Sequence, residues 1–176
     1  MEKVFGATER HDGLTVYEST GRAVLIYGFG EEDGNGYDYR ETFDHIPTPD
    51  ELRTVIHDHV DALTDEKILT GYQWTVLHGD HAGQTVNVWL STENQNNFKA
   101  KHDAALAYPE EVRFPFSYKI SEDADHKAIY ETFQNIGELA RFYLGGLNFI
   151  DSCLGAGWVE KNTADAFIDS LNLGGV

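Results

Sequence analysis

The hydrophobic pattern of the chain changes period several times, and each change predicts an element. Across the first 45 residues apolar and polar positions tend to alternate. Leu14 to Glu18 and Arg22 to Phe29 are rich in Val, Leu, Ile and Tyr, and Ser19-Thr20-Gly21 between them predicts a hairpin. Gly30 to Gly36 is a predicted loop with an Asn-Gly turn, followed by a strand over Tyr37 to Phe43. In that strand Tyr37, Tyr39, Glu41 and Phe43 share one face, and the aromatic face is expected to meet a core. The period then becomes helical: Leu52, Val55, Ile56, Val60 and Leu63 follow Thr48-Pro49-Asp50-Glu51, a capping box with proline at the first helical position. This predicts a helix from Pro49 to Leu63 and on toward Leu69, ended by Thr70-Gly71.

From Gly71 the order strand, strand, helix occurs twice. Tyr72 to Leu77 and Thr85 to Leu90 flank HGDHAGQ, and Thr92 with Gln95 is expected to cap a helix over Glu93 to Ala107. Val112 to Ile120 and Ala128 to Phe133 flank SEDADHK, and Asn135 with Glu138 opens a helix expected to reach Leu154. Val159 to Lys161 then reads as a link to a short last helix, Thr163 to Leu171, capped by Asn162, with residues 174–176 expected to fray. The prediction is an α+β fold: a β-rich N-terminal region (1–46), then an α+β domain (47–176) in which a capped helix precedes two ββα units with helices packed on antiparallel sheet. No linker-like segment divides the chain, so the two regions are expected to form one compact unit.

Composition narrows the function. The 176 residues carry 13 Lys and Arg against 30 Asp and Glu, a formal charge of −17, and the basic residues are scattered. A nucleic-acid site needs a clustered basic footprint, and anionic membranes favour the same, so neither partner is expected. The longest apolar run, Ala23 to Phe29, is far below the roughly 20 residues of a membrane-spanning helix, and no signal peptide is expected at the start. Cys153 alone cannot form an internal disulfide, which leans toward a cytoplasmic setting. Eleven of the 30 acids lie in the first 50 residues with only four basic residues, a distribution suited to a solvated shell and to apolar or basic partner surfaces.

Candidate chemistry is sparse. His78, Asp80 and His81 lie together on a hairpin connection, where an i, i+3 histidine pair with one carboxylate could hold a divalent cation loosely, although a solvated turn explains them as well. His57 and His59 are two apart on a helix and cannot jointly grip a metal. The acidic segments GEEDGNG and SEDADHK lack the spacing of a calcium loop, and the glycines of YGFGEEDGNG lack the dinucleotide spacing and a following helix. The serines have no nucleophile-elbow context, and Cys153 sits on an apolar helical stripe as a core thiol would. No cofactor is implied. Trp74 and Trp89, with Asn94 and Asn97 of the amide-rich ENQNN, form the candidate small-ligand or glycan platform, against a core role for the same tryptophans. Gly145-Gly146 inside a helix predicts a helix kink, a close helix contact or a helix crossing at an oligomer interface.

From Gly36 to about Phe167 the chain resembles an uncharacterised family of domains of unknown function found in bacteriophage tail-module proteins and prophage-like regions of gut anaerobes. GYDYRETFDHIPT, TDEKILTGYQW, VWLSTENQNNFKA, YETF and GWVEK carry the resemblance, and the junction TVNVWLSTENQNNF is its most distinctive block. The resemblance supplies no catalytic residue. It implies a non-enzymatic structural or assembly-accessory protein acting through protein contacts, with a tail or fibre component as partner, self-association as an option, and a cytoplasmic or virion-associated location. The alternatives are the small-ligand or glycan module and, third, a hydrolase with an acidic or histidine site.

Overall fold

The computed structural model describes residues 1–171 and 173; the expectation for residues 174–176 lies outside them. The fold is α+β, with eight strands, all paired antiparallel, and three helices among the described residues. Two compact units are present, one of residues 1–63 with 157–176 and one of residues 64–156. The division falls inside two helices, after Leu63 and after Ala156.

In the first unit β1 (Glu2–Phe5), β2 (Gly13–Tyr17), β3 (Arg22–Glu32) and β4 (Asn35–Phe43) form a sheet in the order β1-β4-β3-β2. The expected loop over residues 30–36 is instead a two-residue turn. Glu32 pairs with Asn35, and Asp33 and Gly34 both hold positive φ (51° and 76°), the geometry that matches the twist of a hairpin. Ala23, Leu25 and Tyr27 oppose Phe43, Glu41 and Tyr39 across the ladder, so the aromatic face of β4 is the core face, as its alternation predicts. It meets Leu52, Ile56 and Val60 of helix α1 (Pro49–Leu69) and Ala164 and Ile168 of helix α3 (Ile136–Ser170). The Thr48–Glu51 capping box forms as the sequence requires: the Thr48 N–H donates to Glu51 (2.8 Å) and the Glu51 N–H to Thr48 Oγ1 (3.3 Å).

A charged lock closes this unit. Glu160 accepts from Arg10 (2.6 Å) and from the Tyr27 hydroxyl (2.7 Å), while Asp12 accepts from Arg10 Nε (2.8 Å) and from the Gly28 N–H (2.7 Å). Desolvation pushes the Glu160 carboxyl upward, and the hydrogen bonds from Arg10 and Tyr27 outweigh it, leaving the group below its ordinary range.

The second unit contains the two ββα arrangements. β5 (Tyr72–Thr75) pairs with β6 (Thr85–Val88) ahead of α2 (Thr92–Ala107), and β7 (Phe116–Glu122) pairs with β8 (Ala128–Phe133) ahead of α3. Two expectations need correction. Strand β7 starts at Phe116, not Val112, because Pro115 has no N–H to give a ladder. The helix expected to stop at Leu154 runs without a break to Ser170: the apolar positions Cys153, Ala164 and Ile168 are all buried, Lys161 pairs with Asp61 at 2.6 Å, and Asn162 lies inside the helix rather than capping a separate one. Among the described residues no helix is long and apolar enough to cross a membrane.

Candidate functional site

The second unit is organised around Phe142 on α3. Tyr72 and Trp74 of β5, Phe98 of α2 and Phe133 of β8 surround its ring at centroid distances of 5.8, 5.1, 5.0 and 5.1 Å, three of them edge-on, the arrangement aromatic quadrupoles favour. Strand alternation explains the gathering: Tyr72 pairs with Val88 and Trp74 with Val86, which places all four on one face of the hairpin.

Gly145 and Gly146 are the places where α3 yields to that cluster. A Cβ on Gly145 would lie 2.9 Å from Tyr72 Cε2, whereas one on Gly146 would rest at 3.5 Å from both Leu90 Cδ2 and Tyr72 Cε1. The bare helix surface lets the Tyr72 ring lie against it, and the Tyr72 hydroxyl donates to the Phe142 carbonyl at 2.7 Å. Burial, with the Glu131 charge adding, pushes that hydroxyl far above its ordinary range, so it remains a donor. Gly145 is thus the close-packing position, and it packs against a strand tyrosine rather than in the helix contact expected from sequence, while Gly146 leaves ordinary space beside it. Beside it lies a cavity of about 150 Å³, walled by Phe98, Phe142, Leu147 and Ile150 and reached past Asn96 and Lys99 of α2.

Glu131 is the functional-looking residue that the sequence reading missed. Its side chain is 0% exposed, yet the carboxylate is fully occupied: it accepts from Trp74 Nε1 (2.7 Å) and from the backbone N–H groups of Leu77 (2.8 Å), Thr132 (3.0 Å) and His78 (3.3 Å). It ties the end of β5 to β8. The signal was present in the alternation of Ile129, Glu131 and Phe133 on one strand face.

The sequence-predicted residues separate. Trp74 is part of the core, with its indole N–H spent on Glu131, while Trp89 is 41% exposed and follows the buried Val88. The Asn94 side chain donates to the Trp89 carbonyl (3.0 Å), and Gln95 to the Leu90 carbonyl (2.7 Å). Ser91, not Thr92, is the cap of α2 and accepts from the Asn94 N–H. The amide-rich run therefore stitches the strand-to-helix junction. Asn97 is exposed, and its carbonyl lies 3.4 Å from the Tyr118 hydroxyl. His78 turns to Glu138 (3.2 Å) and His81 to Gln84 (3.0 Å), and Asp80 is exposed; no group of three or more potential metal ligands is brought together among the described residues. Glu138 also closes the expected cap of α3 with Asn135, its carboxyl held low by the Gln134 N–H against the cost of desolvation, with His78 adding to the effect.

On the outer face of the hairpins Trp89 lies near the ammonium of Lys119 (5.8 Å from the ring centre), and Lys119 is the cross-strand partner of Tyr130, itself 52% exposed. Lys119 also pairs with Glu122 at 2.5 Å, so its charge is balanced locally. Compared with family models, with curated proteins and with solved structures, the chain finds no match in any of the three.

Proposed function

We propose that the protein is a non-enzymatic structural or assembly-accessory component that works by binding another protein, and that this partner belongs to a phage tail or fibre. The observation carrying the binding role is the exposed Trp89–Lys119–Tyr130 patch. Tryptophan and tyrosine are the side chains that most often dominate protein interfaces, and a charge-balanced lysine between them suits an apolar partner surface. Supporting it from the other side, several polar groups near the expected Trp–Asn and histidine sites are bonded within the protein itself: Asn94 and Gln95 to backbone carbonyls, His78 to Glu138, and Glu131 to four donors. The tail context comes from the resemblance of residues 36–167, and the charge of −17 is consistent with a protein that stays soluble until its partner is present.

The test is to read the gene neighbourhood and co-express this chain with any tail or fibre genes found there, followed by purification on a tag carried by this chain. A tail or fibre component should co-purify with the wild-type protein, and the Trp89→Ala/Tyr130→Ala double variant should weaken that complex by about tenfold or more, the loss expected of interface hot spots. A neighbourhood without such genes, or a complex indifferent to the two substitutions, would refute the proposal.

A further inference from the structure

We propose that the cavity beside Gly146 is a binding site for a small neutral aromatic molecule, one six-membered ring bearing a single hydrogen-bond acceptor. Three observations combine. The first is size and lining: about 150 Å³ walled by aromatic and aliphatic side chains, which is the scale of cavity that accepts benzene. The second is that the site is kept open at a specific cost. Gly146 lies within a 35-residue helix, where alanine would favour the helix by about 1 kcal/mol. A Cβ there would find only ordinary contacts, at 3.5 Å, so close packing against Tyr72 demands glycine at 145 but not at 146. What the bare position 146 does provide is room in the cavity that it lines.

The third observation is the mouth. Lys99 lines it and pairs with Asp103, which raises the affinity of its ammonium for the proton and leaves N–H donors to spare, since an ammonium has three. Gln95 is held at the rim by its bond to the Leu90 carbonyl. A ligand whose ring fills the apolar wall can place an acceptor on Lys99. Because Asp103 already balances that charge, a neutral hydroxyl or carbonyl is favoured over a carboxylate, which would meet Asp103 as a like charge.

The probes are toluene, benzyl alcohol and benzoate, titrated into isotopically labelled full-length protein while the methyl signals of Leu90, Leu147 and Ile150 are followed by NMR. Saturable shifts of these methyls are expected with toluene, tighter binding with benzyl alcohol, and the weakest with benzoate. Gly146→Leu should abolish the shifts. Gly146→Ala, whose Cβ meets no clash and which therefore folds, should weaken toluene by about fivefold as the cavity shrinks. Lys99→Met should keep toluene binding and lose the preference for benzyl alcohol. Absence of saturable shifts in the wild type, or equal affinity in Gly146→Ala, would overturn the site. A preference for benzyl alcohol that survives Lys99→Met, or benzoate binding most tightly, would overturn the ligand class.

Discussion

Replacing each of the two adjacent glycines of α3 by alanine should move stability in opposite directions. In an unstrained helix interior either substitution gains about 0.8–1 kcal/mol through backbone propensity. At Gly146 nothing opposes the gain, because the new Cβ sits at 3.5 Å from Leu90 and Tyr72. At Gly145 it sits 2.9 Å from a ring carbon of Tyr72, and that ring cannot swing aside freely: Tyr72 is 6% exposed and its hydroxyl is anchored on the Phe142 carbonyl. Overpacking of this kind costs about 1–3 kcal/mol, and a broken buried hydrogen bond about 1–3 more, so against the propensity gain the net effect is destabilisation by about 1–5 kcal/mol. For a chain of this length each kcal/mol moves the midpoint by about 2–4 °C. Thermal and urea unfolding followed by circular dichroism should therefore place Gly146→Ala above the wild type and Gly145→Ala below it, about 2–6 kcal/mol apart. Tyr72→Leu should relieve much of the Gly145→Ala penalty, a coupling read from the double-mutant cycle. Equal stability of the two glycine variants, or Gly145→Ala as the more stable one, would refute the assignment of Tyr72 as the reason for glycine at 145.

Two further outcomes follow from the buried and charged groups. Glu131→Ala strands the Trp74 indole N–H and three backbone donors and should cost about 3 kcal/mol or more, with a change in tryptophan fluorescence; a neutral substitution would show that Glu131 does not hold the hairpins together. The lowered Glu160 carboxyl stabilises the first unit fully above the ordinary glutamate range and loses that contribution as pH falls through its own lower value. Urea midpoints of wild type and Glu160→Gln should therefore differ at pH 7 and converge as pH falls below the ordinary glutamate range, and a difference that is constant with pH would refute the ionic lock.

The local signals in the sequence carried most of the architecture. The Thr48–Glu51 and Asn135–Glu138 caps start their helices where the side-chain chemistry requires, and period-two alternation placed the hairpins of both ββα units. Nonlocal contacts decided the rest. Strand β1 is four residues long, too short for a periodic signal, and exists through its pairing with β4 some 35 residues away. The helix expected to end at Leu154 passes through Gly155 and Gly157, where burial of Ala164 and Ile168 against the sheet outweighs a cost of about 1 kcal/mol per glycine. The candidate site was legible only as oddities. Gly145-Gly146 stood out, yet its partner Tyr72 lies some 70 residues earlier, and the amide cluster looked available because its targets, the Trp89 and Leu90 carbonyls, are backbone atoms that no motif spells out.

The order in which the units are written along the chain has a consequence for synthesis. Residues 64–156 are continuous and can collapse on their own contacts while translation is still under way. The first unit cannot: Tyr27 reaches its partner Glu160 across 133 residues, and the sheet face carrying Leu25 receives Ala164 and Ile168 only after about 140 further residues have been added. At a synthesis rate of roughly 5–20 residues per second, the earliest strands wait about 7–28 s with their apolar face covered by α1 alone. The 11 acids of the first 50 residues can then act as gatekeepers for the nascent chain, keeping that waiting sheet from pairing with its neighbours on the polysome.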